Sequence, residues 1–375
     1  MDKVHTADQT GVACLFMRGG TSRGPFFLAS DLPADEATRN RVLLSVLGSP
    51  DQRQIDGLGG ANPLTSKAGI VSPSKVAGVD LDFLFVQLQP GSDVVDTSAN
   101  CGNMLAAVVP FAIERGLIKV GGDQTTARVL TLNTGMQCDI TVSTTGAGVN
   151  YAGSTKIDGV PGSSAPIRID FSDTAGSICS SLLPTGRVRD TLQFEDGTTF
   201  SIDVTCIDNG MPMVLIRAAD LQCTGCESLD AMNSDVNLKR RLELMRLKAG
   251  LLMGLGDVSQ KNYPKMCLLA APQHGGSIAT RCFIPHVCHD AIGVLGAVTV
   301  ATACVLENSI AVGLAQIGAG RVKTISIEHP SGEFSVELEM DPDDSQRILR
   351  AGLIRTARLI MRGEVMIPTS IWNGK

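Results

Sequence analysis

A polar turn at residues 100–103, Asn-Cys-Gly-Asn, runs directly into an apolar stretch, and a cysteine in such a place can do chemistry. The pattern predicts a helix over residues 102–115 with Cys101 at its N-terminus. Free backbone N–H groups at a helix start attract anions, and the positive end of the helix dipole favours a thiolate, the form of cysteine that takes up protons. The same donors suit a carboxylate. A cysteine is by default a small buried thiol, but Asn100, Gly102 and Asn103 are poor core material and favour a working thiol at Cys101.

A second segment, residues 55–71 (IDGLGGANPLTSKAGIV), is glycine-rich and ends in Ser66 and Lys67 at the start of an apolar run. It lacks the order of a phosphate loop, because Lys67 follows Thr65-Ser66 and leads into a strand pattern, not a helix. Its glycines are expected to let backbone approach a ligand. A lysine that acts as a base near neutral pH must be held about three pKa units below its ordinary value, roughly 4 kcal/mol, by burial or a nearby cation. Taken alone, Lys67 reads more usually as an exposed lysine at a strand edge, and the segment decides little.

The third segment, residues 17–24 (MRGGTSRG), follows a strand pattern. Arg18 and Arg23 offer forked cations for carboxylates, and Thr21 and Ser22 offer hydroxyls. The plain alternative is a Gly-Gly-Thr-Ser loop. Cys223 and Cys226, with Cys282, His286, Cys288 and His289, lack the two regular pairs that a structural zinc site needs, so no metal is expected. His289-Asp290 suits a polar entrance to a second buried helix. Neither a nucleophile elbow nor a dinucleotide fingerprint occurs in a fitting context, which removes the hydrolase and dehydrogenase classes.

Positioning these residues falls to a chain of 375 residues, 43% apolar, with a net charge of -6. That is ample for a buried core and suits two domains. No Lys/Arg-rich run is present to neutralise phosphates, so nucleic acid is not an expected partner. The polar start at residues 1–10 shows no targeting segment, and the most apolar stretch, residues 291–305, is too short to span a bilayer. A cytoplasmic protein without a membrane partner is expected, its 11 cysteines free. Aromatics at 4% leave little for stacking a cofactor, and none is expected.

Alternating runs at residues 13–17, 81–88, 128–132, 167–171 and 324–327 read as strands. Asp196-Gly197, between residues 193–194 and 199–202, marks a hairpin. Helices are expected at residues 33–47, closed by Gly48, at 102–115 and at 291–307, the last two apolar on all faces as a helix inside a sheet must be. An amphipathic helix over 343–361 and a terminal strand at 365–371 complete the pattern. The fold class is α+β, with two similar domains each built as a mostly antiparallel sheet wrapped round a central helix. A boundary at Leu183-Pro184 gives an N-terminal domain of residues 1–183, joined by the returning strand 365–375, and a C-terminal domain of 184–364.

Residues 17–24, with 48–51 (GSPD), 54–57 (QIDG), 59–61 (GGA), 64–67 (LTSK), 100–103 (NCGN), 110–117 (PFAIERGL), 157–162 (IDGVPG), 183–186 (LPTG) and 206–212 (CIDNGMP), resemble the PrpF family of isomerases nearly end to end. Within it they are most similar to the 4-oxalomesaconate tautomerases and Δ-isomerases of gallate and protocatechuate breakdown. The resemblance implies a diaminopimelate epimerase-like fold with the active site in the interdomain cleft, and a cofactor-independent proton transfer that moves a double bond on a small unsaturated tricarboxylic acid. It implies Lys67 and Cys101 as the acid/base pair. Thr21, Ser22, Gly102 and Asn103 match its carboxylate contacts, and Arg18, Asn100, Ser66 and His289 join them as candidates for substrate binding. Arg23 stands where the family usually has lysine, and residues 293–296 (GVLG) lack the usual threonine near the second helix. The partner is a small polycarboxylate, and a homodimer is compatible with the pattern. Alternatives are a 2-methylaconitate or aconitate cis–trans isomerase, a two-cysteine epimerase pairing Cys101 with Cys288, and a non-catalytic carboxylate-binding protein.

Overall fold

The computed structural model describes residues 8–97, 101–171, 174–195, 199–344 and 347–374. Its backbone divides into two compact units, residues 1–170 with 354–375, and residues 171–353.

The first unit contains β1 (Gln9–Gly19), β2 (Ser22–Leu28), α1 (Glu36–Leu47), β3 (Lys67–Pro73), β4 (Leu81–Leu88), β5 (Val95–Asp96), α2 (Gly102–Leu105), α3 (Val108–Glu114), β6 (Gln124–Thr131), β7 (Met136–Thr145), β8 (Gly148–Val149) and most of β9 (Ile167–Phe171). The second contains β10 (Asp190–Glu195), β11 (Thr199–Asp208), β12 (Pro212–Arg217), α4 (Leu229–Ser234), α5 (Val236–Leu252), β13 (Lys265–Ala270), β14 (Ile278–Phe283), α6 (Val294–Val305), β15 (Val322–His329), β16 (Gly332–Met340) and most of β17 (Ile348–Arg355). β18 (Ala357–Pro368) returns to the first unit and pairs with β1 along its length.

The two units repeat one pairing scheme. In the first, β1–β2, β3–β4 and β6–β7 are antiparallel, while β2–β3 and β4–β6 are parallel. In the second, β11–β12, β13–β14 and β15–β16 are antiparallel, while β12–β13 and β14–β15 are parallel. A parallel pair needs a crossover connection. α1 lies in the first crossover of unit one and α4 with α5 in that of unit two; α2 with α3 and α6 lie in the second crossovers. The result is an α+β fold of two similar halves, with apolar helical segments against each sheet, α2 and α3 in the first and α6 in the second.

α6 meets that description closely: residues 296–304 are buried throughout, and the helix lies against β11, β12, β15 and β16. In unit one the core gathers on Phe26, whose ring lies 6.4 Å from that of Phe83 and 5.8 Å from that of Phe111 in α3. α1 is capped by Asp35, which accepts from the Thr38 N–H at 2.8 Å, and ends at Gly48 with φ 77°. It buries Val42, Leu43, Val46 and Leu47 on the opposite face of the sheet.

Several expectations need correction. The helix predicted over 102–115 is two short segments, α2 and α3. Pro110 has no N–H for the Ala106 carbonyl and its ring crowds it, so the chain turns at Ala106–Ala107 and proline falls in the first turn of α3. The amphipathic helix predicted over 343–361 is instead β17 and the start of β18. Arginines at 347, 350, 355, 358 and 362 imitate the polar face of a helix, but β16 and β1 take up the backbone hydrogen bonds. α5, the longest helix among the described residues, lies outside the helices expected from the sequence, although Leu238, Leu242, Met245 and Ala249 are buried at helical spacing. β10 and β11 form the expected hairpin, Glu195 opposite Thr199; its turn, residues 196–198, lies outside the described residues, as does Asn100.

Candidate functional site

Three chain segments of unit one converge on the side-chain nitrogen of Lys67. Lys67 opens β3, Ser22 opens β2 beside it, and Cys101 is the residue before α2. Lys67 Nζ donates to Ser22 Oγ at 3.0 Å and lies 3.5 Å from Cys101 Sγ. The Phe85 ring, from the neighbouring strand, has its centroid 5.7 Å from Nζ. Lys67 is 7% exposed and Ser22 1%, so this is a buried lysine whose side-chain hydrogen-bond partners among the described residues are a hydroxyl and a thiol. The edge-lysine reading fails.

The backbone makes this approach possible at Gly24. A Cβ there would stand 1.9 Å from the Lys67 carbonyl oxygen, so any side chain at 24 pushes β2 and β3 apart. Cys101 owes little to a helix dipole, because α2 is four residues long and no side chain caps it. The group that faces its sulfur among the described residues is the Lys67 side-chain nitrogen.

The other candidates separate into two groups. Thr21 Oγ1 accepts from Asn103 Nδ2 at 2.9 Å, tying the β1–β2 turn to the start of α2. Asn103 Oδ1 is buried without a partner among the described residues. Ser66 points away from the lysine: its Oγ lies 2.7 Å from Gln54 Oε1 and 2.9 Å from the Asn62 carbonyl.

Arg18 and Arg23 do not form the cradle with Ser22 that their spacing suggests. Side chains alternate along a strand, so Arg23 faces away from its neighbour Ser22; it is exposed and stacks over Phe16 at 5.9 Å. Arg18 stands opposite Arg23 and Arg358 on adjacent strands. Its Nη1 donates to the Gly20 carbonyl at 2.9 Å and to the carbonyl and hydroxyl of Thr356 at 3.0 Å. Burial, and then Arg358, work against its charge and lower its pKa from the ordinary value. Arg18 fastens the turn after β1 to the start of β18.

The glycine-rich segment is also used differently from its expected role at a ligand. The Leu58 and Gly59 N–H groups donate to Val46 O (2.8 Å) and Leu47 O (3.2 Å), carbonyls left open at the end of α1. A Cβ on Gly57 would stand 2.2 Å from Gly48 N, and one on Gly59 2.2 Å from Gln54 Oε1. These glycines admit backbone to a helix end.

In the second unit the corresponding places are held by Lys265, first in β13, and Gly293, the residue before α6. Lys265 Nζ lies 3.8 Å from where a Gly293 Cβ would be. No thiol stands there. Cys288 is buried and its pKa is pushed up to about 11, chiefly by burial, which counts against a two-cysteine epimerase. His289 is also in this unit, its Nδ1 3.1 Å from the Asp290 carboxylate and 3.1 Å from the Ala291 carbonyl. Among the described residues no group of three or more His, Cys, Asp or Glu is arranged to hold a metal ion, and no helix is long and apolar enough to cross a membrane.

The profile of the family described as PrpF protein matches residues 9–368. The chain belongs to this family. It is 51% identical over 366 residues to a 4-oxalomesaconate tautomerase from Pseudomonas putida, covering 98% of this chain and 99% of that protein. It is 51% identical over 354 residues to a (4E)-oxalomesaconate Delta-isomerase from a Novosphingobium species, covering 94% and 97%. Among solved structures, a methylitaconate-delta-isomerase superposes with a TM-score of 0.84 at 34% identity, covering 97% of each chain. That isomerase thus shares the fold described above.

Proposed function

We propose that this protein moves a proton, and with it a double bond, on 4-oxalomesaconate or a close unsaturated tricarboxylate, with Lys67 and Cys101 as the acid/base pair. It is an isomerase of the PrpF family, as its relatives at 51% identity are named for isomerisation of that acid. The observation that supports the assignment of the pair is the 3.5 Å separation of Lys67 Nζ and Cys101 Sγ.

The reaction requires these two groups to hold one mobile proton between them, as amine with thiol or as ammonium with thiolate. Either arrangement contains a base and an acid together. The base takes a proton from a carbon α or γ to a carbonyl, leaving an extended dienolate; the acid returns a proton to a different carbon of that system. The pair is then reversed, and transfer between Nζ and Sγ restores it. One proton leaves the substrate and one returns, so its composition is unchanged and no oxidant is consumed. Thr21, Asn103 and the Gly102 backbone are proposed to hold a substrate carboxylate, while the Ser22 hydroxyl orients the lysine and bears on the developing oxyanion.

The test follows 4-oxalomesaconate in deuterated water by proton NMR. The wild type isomerises it with deuterium entering the carbon that is reprotonated. Binding without exchange, the behaviour of a carboxylate-binding protein, would overturn the reading, and turnover of 2-methylaconitate in preference would replace its substrate.

A further inference from the structure

Lys67 sits at the end of the loop between α1 and β3, and one side chain fastens that loop. Gln54 is 1% exposed and has a left-handed backbone, φ 49°, a conformation non-glycine residues adopt only where the surroundings demand it. Its Oε1 accepts from the Ala61 N–H at 2.9 Å and from the Ser66 hydroxyl at 2.7 Å, and its Nε2 donates to Ser49 Oγ at 3.1 Å. The Ala61 N–H can only donate, which fixes the amide orientation.

The contacts form a continuous line to the reacting groups. The loop docks on the end of α1 through Leu58 and Gly59, Gly59 packs on Gln54 Oε1, and Gln54 holds Ser66. The Ser66 carbonyl in turn accepts from Leu88 N–H at 2.9 Å and Gln87 Nε2 at 3.1 Å. The next residue is Lys67. Resting on the acid/base assignment above, we infer that Gln54 is a positioning residue: its amide sets the place from which Lys67 reaches Ser22 and Cys101, without itself touching substrate.

The experiment compares Gln54→Met, Gln54→Glu and Lys67→Met in the full chain, measuring kcat and KM on 4-oxalomesaconate. Methionine keeps the length and apolar stem but leaves the Ala61 N–H and Ser66 hydroxyl without their acceptor. Misplacement by about 1 Å can cost on the order of 100-fold, so Gln54→Met is expected to lose about 10- to 100-fold in kcat with KM within about threefold. Glutamate keeps both acceptor bonds and recovers most of that loss. Wild-type kcat in Gln54→Met, a loss confined to KM, or an equal loss in Met and Glu variants would each overturn the inference. Where Gln54→Met does not fold, Ser66→Ala removes one bond to the same oxygen; it is expected to lower kcat by a smaller factor, and an unchanged kcat overturns the inference. Activity in Lys67→Met would sink the acid/base assignment itself, whereas an inactive Lys67→Met beside a fully active Gln54→Met sinks only the positioning role.

Discussion

The Nζ of Lys67 lies 3.5 Å from the Cys101 sulfur, although 34 positions separate them in the chain. Two protein segments with no local reason to meet thus place an amine and a thiol within proton-transfer reach. A general acid or base contributes typically 10²- to 10⁴-fold. Lys67→Met is therefore expected to cut kcat by about 10³-fold, and Cys101→Ser by about 10²-fold, since a hydroxyl still carries a proton but transfers it poorly. Deuterium exchange measured beside turnover separates the roles: each variant should lose the transfer its residue performs, and wild-type exchange in both would refute the pairing.

Gly24 carries a prediction about backbone spacing. Because a Cβ would stand 1.9 Å from the Lys67 carbonyl, Gly24→Ala must move β2 from β3 at the point where Ser22 and Lys67 meet. Overpacking of this kind costs about 1–3 kcal/mol. A lower Tm together with a larger fall in kcat than in substrate affinity is expected; unchanged Tm and kcat would show that the strands yield freely.

Much of the fold could be read from local pattern. β4 runs over Leu81–Leu88 as its alternation indicated, and the all-round apolar stretch at α6 had to be surrounded by sheet. Cys101 and Lys67 were legible as chemically suited residues, but their contact was not, because it depends on a parallel register in which Gly24 admits the Lys67 backbone. The arginines misled for a related reason. Proximity along the sequence does not tell which face of a strand a side chain takes, and alternation sends Arg23 away from Ser22. Residues 343–361 failed because spaced arginines satisfy a helical period while only tertiary pairing with β1 and β16 selects strand. Gln54 gave no signal of its own; a glutamine becomes notable only once its three partners are seen.

The thiols separate by environment, which predicts their chemistry. Burial pushes Cys14 up to about 11 and Cys206 and Cys304 up to about 12, so at pH 8 these present almost no thiolate. Cys226 is exposed and Cys101 half-buried. Iodoacetamide at pH 8 is expected to modify Cys226 and Cys101 first, as read by peptide mass spectrometry, with activity lost in step with Cys101 alone. A Cys226→Ser protein should be inactivated as fast as the wild type. Inactivation that tracks a buried thiol instead would place the reactive sulfur elsewhere.

Glu328 predicts how the second unit responds to acid. It is 5% exposed, and its carboxylate accepts from the N–H groups of Gln273 and His274 at 2.7 Å and Gly276 at 2.8 Å, closing the loop between β13 and β14. Burial alone would raise its pKa, but these three donors, with the His274 imidazole, outweigh burial and hold it below the ordinary carboxylate value. A carboxyl depressed in the fold binds its proton more readily when unfolded. Its stabilisation is complete above the unfolded pKa, about 4.3 for glutamate, and is lost as pH falls through that value toward the folded one. Glu328→Gln, neutral at every pH, should lower Tm at pH 7 and show a shallower fall in Tm between pH 5 and 3.5 than the wild type. Parallel Tm curves for the two proteins would mean that this carboxylate contributes nothing to acid sensitivity.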